Sequence, residues 1–333
     1  MEYRQFGNLN FNVSAVGLGT WVTGGWMWGG SDEKEVTEAI EKAVSSGITL
    51  IDTAPIYGFG LSEEIVGKTL RRLGLRDKMV IATKCGLEWD ESRKRIGHNL
   101  TRGRILEEID ASRRRLETDV IDLYQVHWPD DKTPVHETME TLDQLLHKGV
   151  IRGIGLSNFD VSQIEEAMKI APVHSLQPPY NLFERGIEEK ILPFCREHHM
   201  AVLAYGSICR GLLSGKFKAG ATFQKDDIRA YDPKFKADKI VQYMKAVSEL
   251  GRLAGRRNLT VAQLAIQWAA RQPGVTAALV GARNARQAEE NAAAFNGELA
   301  DEDFKQIDQI LEKTIKYPVG PEFMAGPAKK HGG

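Results

Sequence analysis

From Ser14 onward the chain alternates between short apolar runs and longer stretches whose apolar residues recur every three to four positions. The short runs are SAVGLGT (14–20), ITLID (48–52), MVIAT (79–83), VIDLYQVH (120–127), VIRGIGLS (150–157), HSLQ (174–177), AVLAY (201–205) and TAALVG (276–281). They are apolar without strict alternation, as strands covered on both faces are. The intervening stripes predict helices. Asp32 precedes Val36, Ile40, Ala43 and Val44, and Gly47 ends the stripe. Ser62 precedes Ile65, Val66, Thr69 and Leu70, and Val135, Met139, Leu142 and Leu146 run to Gly149. Asp160 leads into Ile164, Ala167 and Met168, and Thr260 into Leu264, Ala265 and Trp268. Such spacing lines one helix face, and Asp, Ser or Thr ahead of it can cap the free amides of the first turn.

Eight strands, each followed by a helix, predict an α/β fold of the (β/α)8 TIM-barrel class. A doubly wound sheet is the rival. It calls for a glycine-rich dinucleotide turn, and GLGTWV (17–22), GFGLSE (58–63) and GIGLSN (153–158) all lack the third glycine. Ahead of the first barrel strand, YRQFG and FNVSAVG predict an N-terminal β-hairpin around Asn8. Residues 206–239 form the longest segment without a stripe, and a loop of that length at the C-terminal face suits a lid or binding loop. Residues 1–316 are expected to form a single barrel domain, and 317–333 a loosely packed tail rich in Pro and Gly.

Composition narrows the function. A net charge of −1 over 333 residues argues against a nucleic-acid binder. No apolar run reaches the ~20 residues of a membrane span, and the N-terminus has no signal-peptide pattern, so a cytoplasmic location is expected. Cys85, Cys195 and Cys209 suggest neither a disulfide framework nor a zinc site.

Barrel chemistry sits at the C-terminal ends of the strands. Those ends carry Asp52, Lys84, His127, Ser157 with Asn158, Gln177, Tyr205, and Gly281 with Arg283. Each has an ordinary reading as a cap, a solvated charge or a packed side chain, but together they converge on one rim. Just beyond Asp52 comes Tyr57. A phenol with a pKa near ~10 is a poor acid at neutral pH, and an ammonium within ~4–6 Å lowers that value. Lys84 could supply the charge, Asp52 could hold Lys84, and His127 could orient a carbonyl. That constellation makes Tyr57 a general acid and lacks a hydride donor, which a cofactor must bring.

The ordered motifs D-x-x-x-x-Y (52–57), ATKCG (82–86), YQVHWPD (124–130), GLSNF (155–159), QPPYN (177–181), GLLSGK (211–216) and GARNARQAEEN (281–291) resemble the aldo-keto reductases over residues 3–315. AYGSICRGLLSGK (204–216) and PVGPEFMA (318–325) look most like the bacterial family-eleven branch. The resemblance implies NADPH-dependent reduction of aldehydes and ketones to alcohols. It makes Asp52, Tyr57, Lys84 and His127 the catalytic tetrad. It places Ser157, Asn158 and Gln177 on the nicotinamide carboxamide and Tyr205 against the ring. It assigns Ser207, Arg210, Leu212, Ser214 and Lys216 to a loop over the pyrophosphate, and Gly281, Arg283, Gln287, Glu290 and Asn291 to the adenosine end. Thr20, Trp21 and Gly206 complete the expected NADP(H) contacts. Gly206, Ser207 and Ile208 stand where many relatives have Ser-Pro-Leu.

Trp21, Trp26, Trp28, Trp89 and Trp128 fall in loops on the same rim and are candidates for an apolar substrate wall. GLLSGK is not a phosphate-binding Walker loop, and His136-Glu137-Thr138-Met139-Glu140 lacks the second His of a zinc helix, so no metal is expected. Arg113, Arg114 and Arg115 read as a solvated helix face. The expected partner is a small carbonyl substrate, with no nucleic acid or membrane, and the chain itself is expected to be a monomer or weak homo-oligomer. One rival is a cofactor-binding regulatory subunit similar to channel β-subunits, against which the complete tetrad and the short N-terminal segment argue. A lyase using Lys84 as a Schiff base is another.

Overall fold

A computed structural model of the chain describes residues 1–93, 95–217 and 220–324. All eight apolar runs contain a strand, and the strands close into one parallel barrel in chain order. They are Val16–Gly19, Leu50–Asp52, Val80–Cys85, Leu123–Val126, Ile154–Ser157, Ser175–Gln177, Ala201–Ala204 and Ala277–Gly281. The last pairs with the first, Ala278 opposite Val16 and Gly281 opposite Gly19.

Side-chain parity divides the barrel into an inside and an outside. Outward residues such as Ile51, Ile81, Tyr124, Leu156 and Val202 pack in one core with the surrounding helices. Fully burying one such aliphatic side chain contributes ~1.5–3 kcal/mol. Inward residues, among them Leu50, Ala82, Leu123, Ala201, Leu203, Ala277 and Leu279, form a second core. Phe6 and Val13 of the N-terminal hairpin, Tyr3–Gln5 with Asn12–Ser14, belong to that inner core, with Leu9 and Phe11 packed against it. The hairpin therefore plugs the N-terminal end of the barrel. Gly7 (φ +54°) lies against it so closely that a Cβ there would meet the amide of Ala201 and the carbonyl of His199 at 2.8 Å.

The helix starts follow the sequence signals with one exception. The Asp32 side chain accepts from the Glu35 amide, and Asp160 and Thr260 each complete a capping box with Gln163 and Gln263. Ser62 does not cap its helix. Leu61–Leu73 starts after Gly60 in a left-handed conformation. The Ser62 hydroxyl instead bonds Thr20 Oγ1 at 2.8 Å and Thr53 Oγ1 at 2.9 Å, tying the first two strand-end loops together.

The long segments are more structured than their composition suggested. A rim hairpin that the sequence pattern did not predict, Leu87–Trp89 with Ile96–His98, follows the third barrel strand. Its strands are three residues long, too short to show a period, and Gly86 (φ +94°) turns into it. Residues 206–239 contain short helical turns at Cys209–Ser214, Ile228–Ala230 and Pro233–Phe235, then enter the helix Ala237–Arg256. Part of the tail is packed: the Val319 amide donates to Tyr243 Oη at 2.9 Å, and the Gly320 carbonyl accepts from Lys234 Nζ at 3.0 Å. Residues 325–333 lie outside the described residues.

Candidate active site

The inward parity that gives an apolar layer deep in the barrel gives a polar one at its C-terminal end. Two residues beyond Leu50, Ala82, Leu123, Gly155 and Ser175 come Asp52, Lys84, Gln125, Ser157 and Gln177. All five are buried. Each carboxylate oxygen of Asp52 is engaged. Oδ1 accepts from Lys84 Nζ at 2.7 Å, and Oδ2 accepts from Gln125 Nε2 at 3.1 Å and Gln177 Nε2 at 2.7 Å. A buried carboxylate requires such partners. Gln125 was not among the candidates because only the last residue of its run, His127, was taken as the strand end; counting back by two finds it.

Lys84 spends its ammonium protons on Asp52 Oδ1, the Thr53 carbonyl at 2.9 Å and Tyr57 Oη at 3.2 Å. An ammonium can only donate. Tyr57 Oη therefore accepts from Lys84, and its own O–H is left for another partner. The expectation that Lys84 lowers the phenol's pKa is reversed here. Burial, reinforced by the Asp52 carboxylate, holds Tyr57 well above its ordinary value. Burial likewise lowers Lys84 against the opposing pull of Asp52. His127 lies edge-on to the Tyr57 ring at 5.9 Å. Burial and then Lys84 push it well below the usual histidine range, so it is a neutral imidazole at physiological pH.

The loop carrying Tyr57 is held by backbone contact. A Cβ on Gly24 would meet the Tyr57 carbonyl at 2.2 Å, and one on Gly58 (φ +72°) would meet the Gly24 carbonyl oxygen at 2.3 Å. Only glycine allows that approach. It sets Trp21 in a stack on Tyr57, ring centroids 5.9 Å apart.

Above this floor opens a cavity of about 340 Å³. Of the expected cofactor residues, Thr20, Trp21, Asp52, Ser157, Asn158, Gln177, Tyr205, Gly206, Ser207, Arg210 and Gly281 face it. Asn158 (φ +64°) donates to the His127 carbonyl at 3.0 Å and accepts from Tyr205 Oη at 2.9 Å, which fixes the Tyr205 ring over the mouth of the barrel. Leu212, Ser214, Lys216, Arg283, Gln287, Glu290 and Asn291 do not face the cavity. Leu212 is buried in the outer core and Lys216 is exposed. Ser214 Oγ accepts from the Lys216 amide at 3.3 Å. Gln287 accepts from the Arg283 amide at 2.8 Å, Asn291 donates to the Gly281 carbonyl at 3.1 Å, and Glu290 pairs with Arg286. These last residues cluster at the helix Ala285–Ala292, which Asn284 caps.

Of the five rim tryptophans, Trp21, Trp26 and Trp128 line the cavity. Trp28 and Trp89 do not: Trp28 packs under the guanidinium of Arg229, and Trp89 against Phe59 with centroids 5.4 Å apart.

Two charged arrangements were not anticipated. The first surrounds Arg210, which donates to Glu184 and, at 2.6 Å, to Asp232; Lys234 Nζ pairs with Glu184 at 2.6 Å. All four are buried and balance to zero formal charge. Burial would raise Glu184, but Arg210 and Lys234 hold it below its usual range. The tail closes this group: Phe323 lies under both cations and Met324 reaches the cavity. The second is a belt across the rim. The Ile228 amide donates to the Met27 carbonyl at 2.8 Å, and Arg283 donates to the carbonyls of Trp28 and, at 3.4 Å, Gly30. Burial lowers the pKa of Arg283 and the nearby Arg229 adds to this, with Asp227 opposing.

The fold and site are those of a barrel enzyme with a buried acid–base constellation at the C-terminal end of its strands. The aldo/keto reductase family pattern matches residues 15–312, and the chain belongs to that family. It is 48% identical to Aldo-keto reductase YhdN of Bacillus subtilis over 331 residues, 99% of each chain. It is 33% identical to the NADH-specific methylglyoxal reductase of Escherichia coli, over 94% of this chain and 99% of that one. The structure of the glycerol dehydrogenase AKR11B4 from Gluconobacter oxydans superposes with a TM-score of 0.88 at 43% identity, covering 97% of this chain and 99% of that one. An aldo-keto reductase from Klebsiella pneumoniae solved in complex with NADPH superposes at 0.71 with 29% identity, over 93% and 94%. The family-eleven resemblance is borne out by AKR11B4 and by the aldo-keto reductase AKR11C1 from Bacillus halodurans, which superposes at 0.78 with 28% identity over 93% of this chain and 96% of that one. Among the described residues no helix is long and apolar enough to cross a membrane, and no group of three or more His, Cys, Asp or Glu is placed to hold a metal.

Proposed function

We propose that this protein reduces short aldehydes and ketones to alcohols reversibly, with NADP(H), and that Tyr57 is the general acid. The observation that carries this is the Asp52–Lys84–Tyr57 chain of bonds beneath the cavity. The cavity suits a nicotinamide: amide and hydroxyl side chains of Ser157, Asn158 and Gln177 line it together with the Tyr205 ring. Gly19 and Gly281 on the first and last strands also line it, and Arg283 stands just past the last strand. When bound, the cofactor supplies the hydride. Tyr57 gives its proton to the carbonyl oxygen, since Lys84 already occupies its lone pair. Lys84 then stabilises the resulting phenolate, and Asp52, held by Gln125 and Gln177, keeps Lys84 protonated and in place. Neutral His127 positions the carbonyl oxygen without competing as an acid.

Arg283 reads the extra phosphate of NADPH, at the start of a helix whose amides also favour an anion. Ser207 and Arg210 line the path to the pyrophosphate, with Leu212, Ser214 and Lys216 in the turn behind them. Gln287, Glu290 and Asn291 shape the adenosine end. The 206–239 segment closes over the cofactor through the belt to Met27 and Trp28. Trp21, Trp26 and Trp128 wall the substrate. Residues 1–316 act as one barrel unit, and the chain works in the cytoplasm as a monomer or weak homo-oligomer, which sedimentation of the purified protein would test.

The experiment is oxidation of NADPH against a panel of small aldehydes, ketones and sugars by the wild type and Tyr57→Phe. Turnover by the wild type that the variant nearly loses, with NADPH binding retained, supports the reading. A borohydride-trapped adduct on Lys84 with a carbonyl substrate would replace it with the lyase alternative.

A further inference from the structure

The substrate half of the cavity is poor in polar groups. Trp26, Ile56, Leu87 and Trp128 face it, and beside Tyr57 and His127 there is one more titratable side chain, His98. His98 sits on the rim hairpin. The register places it opposite Leu87, and Ile96 opposite Trp89. Paired residues of an antiparallel ribbon share a face, and alternate pairs share the same one. Leu87, Trp89, Ile96 and His98 therefore present one side, of which Leu87, Ile96 and His98 reach the cavity.

The root of this hairpin is anchored. The Gly86 amide donates to Glu108 Oε2 at 2.8 Å, the Asn99 amide donates to the Gly86 carbonyl at 3.0 Å, and Asn99 Nδ2 donates to Glu88 at 2.9 Å. Arg104, paired with Glu108 at 3.0 Å, also donates to the Leu87 carbonyl. His98 is thus carried on a fixed support. Among the described residues no side chain hydrogen-bonds its imidazole, and it is only half-buried. His98 and His127 line the same cavity.

We propose that His98 is a specificity-determining residue that hydrogen-bonds a hydroxyl on the carbon next to the substrate carbonyl, making short 2-hydroxy ketones and aldehydes the preferred substrates. This rests on the carbonyl-reductase reading above. Tyr57 and His127 are both committed to the carbonyl oxygen. A wholly apolar substrate would cover the His98 ring and leave its nitrogens without a partner, which a hydroxyl one carbon away would supply. A site built to bond a hydroxyl discriminates against the analogue that lacks it. Size points the same way. A cavity of about 340 Å³ is near the lower end of ligand pockets, ~300–1,000 Å³, and it must admit a nicotinamide as well.

The test uses two ketones of nearly equal shape, hydroxyacetone and butan-2-one, at saturating NADPH. The kcat/KM ratio of the pair is measured in the wild type, His98→Leu and His98→Gln. Comparing ratios between proteins cancels the intrinsic reactivity of the two ketones. His98→Leu should lower the preference for hydroxyacetone ~3–10-fold, the scale of one neutral hydrogen bond, mainly through KM. Butan-2-one should change less than ~2-fold, and Gln, which keeps a hydrogen-bonding end, should restore part of the preference. An equal loss on both ketones would make His98 a structural residue, and an unchanged ratio would remove it from recognition; either outcome overturns the proposal. A wild type that reduces neither ketone nor any other carbonyl of the panel would overturn the reductase reading itself.

Discussion

Removing the Arg283 guanidinium separates two contributions that the structure places on one side chain. Arg283→Ala deletes donations to the carbonyls of Trp28 and Gly30, which hold the belt, and also the proposed bonds to the ribose phosphate. The belt contribution is common to NADPH and NADH. Each hydrogen bond from the charged guanidinium to a carbonyl is worth up to ~1.5–3 kcal/mol, and less here because the side chain is only half-buried and water can replace it. The phosphate contribution belongs to NADPH alone. A hydrogen bond to a charged group is worth ~1.5–3 kcal/mol, which is ~12- to 150-fold in Kd. NADH should weaken several-fold, and NADPH by at least a further ~12-fold. The assay is titration of both cofactors into both proteins by calorimetry or fluorescence quenching, at physiological ionic strength so that loose screening does not inflate the difference. If the two cofactors weaken by the same factor, Arg283 belongs to the belt and does not read the phosphate. If the wild type binds both equally well, NADPH preference is not a property of this chain.

Four further outcomes are expected. Tyr57→Phe should cut kcat ~10²–10⁴-fold with cofactor Kd nearly unchanged; retention of a third of the wild-type rate, with chemistry limiting, would assign the proton elsewhere. Dialysis against a chelator should leave activity intact, because Asp52 is already occupied by Lys84 and two glutamines; a loss restored by one divalent ion would contradict this. Saturating NADPH should slow proteolysis within 206–239, and equal cleavage with and without it would count against closure. Burial raises the Glu108 carboxyl from 4.5 to about 7, so the folded state keeps a proton that the unfolded chain has released. That stability is present below the unfolded value and lost as pH rises through about 7. Glu108→Gln should flatten the fall of Tm between about pH 5 and 8; parallel profiles for variant and wild type would show that Glu108 does not titrate there.

The barrel was legible because its strands are apolar on both faces and its helices carry caps that the local chain satisfies by itself, as at Asp160 and Thr260. Ser62 misled because a hydroxyl ahead of an apolar stripe has two uses, and tertiary contact with Thr20 and Thr53 took it away from the helix end. The residues at strand ends were readable, since position along a barrel strand fixes which end of the barrel a side chain reaches. Their partners were harder. Gln125 required the inward parity, which a run ending at His127 hides. Glu184, Asp232 and Lys234 are polar residues in loops, with no local pattern to mark burial; only the packed tail and Arg210 make them a closed group. The rim hairpin escaped because strands of three residues have no measurable period. Trp28 and Trp89 could not be told from Trp26 and Trp128 by composition, since all four are aromatic residues of long loops.

The plug formed by Phe6, Leu9, Phe11 and Val13 gives the barrel a floor and therefore a single doorway. Whatever lies deepest must come in first and go out last. On the reading proposed above, the nicotinamide lies against Asp52 and Gln177, deeper than a carbonyl held beside the tryptophans, and it therefore arrives before the carbonyl and departs after the alcohol. The order of the kinetic mechanism is in this sense an architectural property, set at the end of the barrel opposite the chemistry. It also predicts a traffic jam: an alcohol that lingers under the rim traps the cofactor beneath it, and excess product slows the enzyme by blocking the exit.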